Sequence, residues 1–279
     1  MGGTQAEPLD AGHFRFSANL ESVSRDEWHR GGQSVDGPDS EASSVVLATR
    51  LRGAITGSFA AEVSLPVAWT EASDAAGEES STGVGDLQTR LHWTRAANGW
   101  AWGVSAGAYW PVGDLGGEAL PANATFSSGT VDPSLGAFVA LPRVAGWGCQ
   151  LSTDTRLVVA DNDDGSRLGS SFTAAIGWDR SITRRLDAQV AVTYFGRAAD
   201  EAAPMDLGGG HMGHGDEPED TGGDWLYLQP FLSMDLLVRP SFAVQATVGG
   251  RFPLVQNVRG TQLVESPSVS LGVAQTFRF

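Results

Sequence analysis

Phe242-Ala-Val-Gln-Ala-Thr-Val-Gly-Gly-Arg-Phe252 alternates without a break: Phe242, Val244, Ala246, Val248, Gly250 and Phe252 share one face, and Ala243, Gln245, Thr247, Gly249 and Arg251 share the other. Successive side chains of an extended strand point to opposite faces, so a period of two with one oily and one polar side reads as a β-strand. The same division recurs upstream, in Leu87, Thr89, Leu91 and Trp93 against Gln88, Arg90, His92 and Thr94, and in Phe59, Ala61, Val63 and Leu65 against Ala60, Glu62 and Ser64. Almost no window shows the i, i+3, i+4, i+7 spacing of an amphipathic helix, so the chain reads as all-β.

Marking every such run predicts twelve strands, near residues 12–24, 44–53, 57–70, 83–96, 99–112, 128–142, 146–160, 166–180, 184–197, 224–238, 241–253 and 264–279. The gaps between them alternate. Long ones at 25–43, 71–82, 113–127, 161–165, 198–223 and 254–263 take turns with tight ones at 54–56, 97–98, 143–145, 181–183 and 239–240. A soluble sandwich has no reason to collect its long loops at one end, whereas a closed antiparallel transmembrane barrel has short periplasmic turns and long extracellular loops. Asn98-Gly99, a preferred two-residue hairpin turn, falls at a short end. Pro66 and Pro230 lie inside predicted strands and each removes a ladder donor, so bulges or shifted boundaries are expected there.

Charge follows the same geometry. The long gaps hold 21 acids and three arginines, whereas the rest of the chain holds 15 arginines and 12 acids. Tryptophans divide into two girdles, Trp69, Trp110 and Trp225 near long-loop ends and Trp93, Trp100, Trp102, Trp147 and Trp178 near short-turn ends, where amphipathic rings favour a lipid interface. Val269, Leu271, Val273, Gln275, Phe277 and Phe279 alternate to a terminal phenylalanine and resemble the C-terminal recognition strand of bacterial outer-membrane proteins.

The chain has 279 residues and a formal net charge of -15, so no basic stripe is available to neutralise the phosphates of a nucleic acid. Cys149 is the single cysteine, which leaves neither an internal disulfide nor a cysteine metal site. No run approaches the roughly 18 apolar residues of a transmembrane helix. The opening residues, Met1 to Pro8, lack a basic and an apolar region, so the expectation is a cytoplasmic protein or a mature sequence with an added methionine. Every basic residue apart from histidine is arginine, for which the sequence offers no physical reason.

With the oily face outward, the inward set of a barrel comprises Arg15, Glu21, Arg50, Arg52, Glu62, Arg90, His92, Asp154, Arg156, Arg167, Asp179, Asp187, Asp235 and Arg251. Charges of both signs suit a polar solute path, and equally a lumen closed by paired arginines and carboxylates; twelve strands lie between small filled barrels and open porins. In the longest loop, His211, Met212, His214 and Asp216 combine imidazole, thioether and carboxylate, a donor set for copper or zinc, although flanking glycines leave it without a rigid frame. Asp161-Asn162-Asp163-Asp164-Gly165 resembles a calcium loop only in part, lacking the distant bidentate glutamate, and reads as a β-turn. The best catalytic candidate is His29 with Asp26 or Glu27 at the external rim, but no nucleophile–base–acid constellation is evident, so no catalytic residue is assigned and no cofactor is expected.

Three segments carry a family resemblance. Thr82-Gly-Val-Gly-Asp-Leu87, Gly107-Ala-Tyr-Trp-Pro-Val-Gly-Asp114 and Ser128-Gly-Thr-Val-Asp-Pro-Ser-Leu-Gly136 resemble, in order and spacing, the outer-membrane proteins associated with meta-pathway phenol degradation, with Trp110 and Val112 as small departures from the usual aliphatic residue and Thr. The resemblance implies a barrel that helps small, often aromatic, compounds cross the outer membrane, and it supplies no catalytic residue. Gly83, Gly85, Gly113 and Gly129 are expected to permit positive φ or close backbone approach, and Asp86, Asp114 and Asp132 to cap turns.

The expectation is therefore a short N-terminal periplasmic segment, residues 1–11, followed by a single twelve-stranded barrel over 12–279 in a bacterial outer membrane, passing a small solute passively. Its partners would be outer-membrane lipid, lipopolysaccharide and that solute, with the oligomeric state left open. A non-transporting scaffold and a metal-handling protein using the His211–Asp216 loop are the alternatives.

Overall fold

The computed structural model describes residues 11–36, 41–74, 77–113, 127–163, 165–201 and 221–278. These form β1 (His13–Gly31), β2 (Gln33–Ser34), β3 (Glu41–Ala54), β4 (Phe59–Asp74), β5 (Gly77–Val84), β6 (Leu87–Ala97), β7 (Trp100–Trp110), β8 (Asp132–Val144), β9 (Trp147–Arg156), β10 (Ser171–Ser181), β11 (Leu186–Arg197), β12 (Gly223–Arg239), β13 (Phe242–Glu265) and β14 (Ser268–Arg278). Each strand pairs antiparallel with its neighbour, and β14 returns to β1, from His13 opposite Arg278 to Ser22 opposite Val269. The pairing of β14 with β1 closes the ring, which is how spanning strands satisfy their backbone in lipid. Twelve staves make the ring, because β2 is a two-residue return that pairs back on the end of β1 and because β5 and β6 run along β4 as one broken strand.

That break has a local cause. Between Ser64 opposite Gln88 and Val67 opposite Val84, two residues of β4 face three of the neighbouring strand. One of the two is Pro66, which has no N–H to give; its carbonyl accepts from the Gly85 amide at 2.9 Å. The irregularity expected at Pro66 is present. At Pro230 the strand stays continuous opposite Val190, and the ladder toward β13 lapses without a change of register.

Polarity is inverted relative to a soluble domain. Leu91 is 62% exposed while its neighbours Arg90 and His92 are each 7% exposed, and Phe16, Leu51, Val104, Leu135, Val248 and Leu271 are exposed likewise. Among the described residues, buried polar and charged side chains outnumber buried apolar ones nineteen to eleven. In water such a shell would aggregate; in a bilayer it is the lipid-facing belt.

The tight turns collect at one end. Asn98 and Gly99 have φ of 53° and 81°, and Ala145 and Gly146 have 51° and 81°, the two-residue turn with both centres left-handed that suits the twist of a hairpin. At the other end two expected loops are strand: β4 and β5 pair out to Asp74 opposite Gly77, and β13 continues to Glu265, pairing with β1. Their polar sequence hides them from a pattern search, because beyond the bilayer a strand needs a hydrogen-bonding neighbour but no oily face. The opposite error occurs at 166–170, which precede β10. Trp69 and Trp110 are exposed at the long-loop side and Trp100, Trp102 and Trp147 at the short-turn side. Trp225 departs from that girdle: its ring packs at a tilt of 38° against Phe195, its cross-strand partner, at a centroid distance of 5.4 Å, on the face shared with Tyr227 and Gln229.

Candidate functional site

The inward face falls into two zones. In the long-loop half, inward charges are consumed by one another. Asp86, placed by the break between β5 and β6, and Asp132, which opens β8, converge on Arg156 at the end of β9: Arg156 Nη2 lies 2.5 Å from a carboxylate oxygen of each, and its Nε donates to Asp132 at 2.9 Å. Ser127 Oγ donates to Asp86 at 2.5 Å, the Ser128 amide and hydroxyl also donate to Asp86, and Thr130 Oγ1 donates to Asp132 at 2.7 Å. Asp132 has no exposed surface, and the Arg156 guanidinium covers the Tyr109 ring at 4.4 Å. The returning end of the 111–131 connection is thereby bolted to the inside of the wall.

Adjoining pairs extend the packing. Arg90 grips Asp154 through both terminal guanidinium nitrogens, Nη2 at 2.7 Å. Gly107 leaves the space for it, since a Cβ there would lie 2.8 Å from Arg90 Cγ. Glu62 sits 3.4 Å from Arg50 and 3.5 Å from His92. Arg251 bridges Glu21 at 3.1 Å and Glu265 at 3.2 Å; Arg25 and the Tyr227 hydroxyl also reach Glu265. Reciprocal pairing of this kind offsets the cost of removing charge from water.

Toward the short turns the interior opens into a cavity of about 810 Å³, which Arg15, Asp179, Asp187, Asp235, Gln245 and Phe231 help to line. Contacts here are sparser. Asp179 pairs with Arg143, whose side chain is 55% exposed. Asp187 accepts from Ser181 Oγ at 2.6 Å, and Gln245 sits between opposite charges, accepting from Arg15 at 3.1 Å and donating to Asp235 at 3.3 Å. Neither Asp187 nor Asp235 has an ion-pair partner among the described residues.

Of the fourteen residues assigned to the inward set, thirteen lie on strands; Arg167 does not. It stands outside the barrel wall in the 157–170 connection, bridged to Glu201 and paired with Asp161 at 2.8 Å and with Glu201 at 3.2 Å. Its segment turns at Gly165, whose amide donates to the Asn162 carbonyl, rather than joining β10. Asp161, Asn162 and Gly165 therefore build a turn closed by Asn162 and Arg167. His29 lies 3.5 Å from Glu27, and Asp26 is held by Ser266 at 2.6 Å. Among the described residues no group of three or more His, Cys, Asp or Glu is arranged to hold a metal; His211, Met212, His214 and Asp216 lie outside them.

Sequence reasoning missed Asp86 and Asp132 as interior residues by treating them as turn caps. A signal existed: Asp86 has the parity of Arg90 and His92, and Asp132 that of Ser134 and Gly136. Gly129, with φ of 73°, and Gly113, whose Cβ would collide with the Val84 backbone, do serve the roles expected of them.

A closed ring of twelve antiparallel strands, apolar outside and charged inside, defines the class: this is a bacterial outer-membrane β-barrel. A family model described as "Putative MetA-pathway of phenol degradation" matches residues 29–214, and the chain belongs to that family. The COG4313 outer membrane channel from Pseudomonas putida F1 superposes with a TM-score of 0.73 at 15% identity, over 99% of this chain and 100% of that one. The toluene transporter TodX of P. putida gives 0.47 at 9% identity, over 97% and 91%, and the transport unit of the autotransporter AIDA-I from Escherichia coli gives 0.49 at 9%, over 96% and 90%. No curated protein matches the chain in sequence.

Proposed function

We propose that the protein is a passive outer-membrane channel for small solutes, aromatic ones included. The observation that carries this reading is the cavity of about 810 Å³ inside the barrel at the short-turn end, large enough for a small organic molecule and lined by carboxylates, amides and the Phe231 ring. The family's description in terms of phenol degradation and the fold shared with an outer membrane channel support it. The described residues contain no second domain that would couple energy to transport. The apolar belt suits contact with lipid, and the acidic sequence of the long connections suits the divalent cations that bridge lipopolysaccharide.

Reconstitution into planar bilayers and liposomes tests the reading. Discrete current steps and solute-driven swelling are expected, and Ala274→Trp, which projects an indole into the cavity, should cut both by about half or more. Absence of steps and of swelling with the unmodified protein would leave a scaffold without transport.

A further inference from the structure

The outside of the short-turn rim is positive. Residues 55–58, 98–99, 145–146, 182–185 and 240–241, which join the strands there, contain no Asp or Glu, while Arg95, Arg180, Arg184, Arg185 and Arg239 stand in or beside them, all exposed. The acids nearest this end, Asp179, Asp187 and Asp235, border the cavity inside the barrel. Among the described residues, none of these five arginine side chains has a carboxylate partner.

Two of the five are built into the tryptophan girdle. Arg180 stands opposite Trp147 across the β9–β10 ladder, its guanidinium 5.1 Å from the centre of the indole. Trp147 is 48% exposed, and both residues alternate with Gly148 and Asp179, which line the cavity, so the pair faces lipid. Arg95 repeats the arrangement on β6: it lies 5.8 Å from the Trp93 ring, stands opposite Trp102 and shares the face of the exposed Leu91. A ring beneath the guanidinium holds the arginine at the depth where indoles settle, the level of the lipid headgroups.

We propose that this rim docks the headgroups of anionic phospholipids of the periplasmic leaflet, at Arg180 beside Trp147 and at Arg95 beside Trp93. A guanidinium presents a planar fork of donors that matches a phosphate, and its charge persists at any physiological pH. The acyl chains of a lipid so held run along the apolar wall, past Leu151 at the first seat and Leu91 at the second. Arg184, Arg185 and Arg239 add attraction at longer range. A zwitterionic headgroup carries its own ammonium, which the same arginines repel, so the rim discriminates by net charge. The inference rests on the barrel and its orientation and is independent of transport.

The test uses the full chain in phosphatidylcholine bilayers carrying a trace of spin-labelled phosphatidylglycerol or spin-labelled phosphatidylcholine, with the motionally restricted fraction of each label read by electron paramagnetic resonance. Phosphatidylglycerol should associate roughly threefold to tenfold more strongly, the advantage of about one arginine beside an anionic headgroup. Arg95→Gln with Arg180→Gln should remove at least half of that excess, and about 0.5 M NaCl should lower it in the unmodified protein. Arg30→Gln with Arg259→Gln, two exposed arginines at the opposite rim, should leave it in place. Equal association of the two lipids with the unmodified barrel would overturn the proposal. So would an excess that survives Arg95→Gln with Arg180→Gln, one indifferent to salt, or one that the opposite-rim variant lowers equally.

Discussion

Arg156 and Arg15 are inward-facing arginines of one barrel in opposite settings. Arg156 touches two carboxylates, one of them wholly buried, and is stacked on a tyrosine. Arg15 lines the cavity, where it donates to the Gln245 amide oxygen at 3.1 Å. In the long-loop half the carboxylates are consumed by arginines, whereas at the short-turn end Asp187 and Asp235 border the cavity without an ion pair among the described residues. Alternation along a strand places both arginines inside; what surrounds each around the circumference decides which work it does.

The comparison can be broken most decisively at Arg156. Arg156→Ala would leave Asp86 and Asp132 facing each other without a counter-charge, and a loss of about 3 to 5 kcal/mol is expected in denaturant unfolding of the folded barrel. A loss below 1 kcal/mol would mean that this cluster is no more structural than the cavity wall. Gly107→Val is next: the added methyl groups meet the Thr89 backbone and Arg90, so overpacking should cost about 1 to 3 kcal/mol by the same measurement. Asp179→Asn in the cavity removes a half-exposed pair with Arg143 and should cost no more than about 1 kcal/mol. The smallest effect, and of opposite sign, belongs to a short turn: Ala145→Gly relieves a left-handed φ of 51° and should stabilise by about 0.5 to 1 kcal/mol, read as a raised unfolding midpoint. Equal costs for Arg156→Ala and Asp179→Asn would erase the distinction between the two halves.

Much of the barrel is legible in the residues. The strand count, the closed antiparallel ring, the Asn98-Gly99 turn and the break at Pro66 all follow from local chemistry. Polar strands beyond the bilayer, such as β5 and the upper end of β13, do not, because water-exposed strands need no oily periodicity. Arg167 shows the converse failure. It sits two residues after Gly165, and the turn closed by Asn162 outweighs the weak alternation that follows. Of the candidate site, parity alone assigns faces to Arg15, Asp179, Asp187 and Asp235, yet nothing local reveals that they share a cavity.

By itself the sequence determined which side chains meet lipid and which turn inward, since a period of two is a property of the extended backbone and needs no partner. Only the tertiary structure decided which inward charges neutralise one another and which border open space. Those partners, Arg156 with Asp86 and Arg25 with Glu265 among them, lie 70 and 240 residues apart, and register and closure of the ring bring them together.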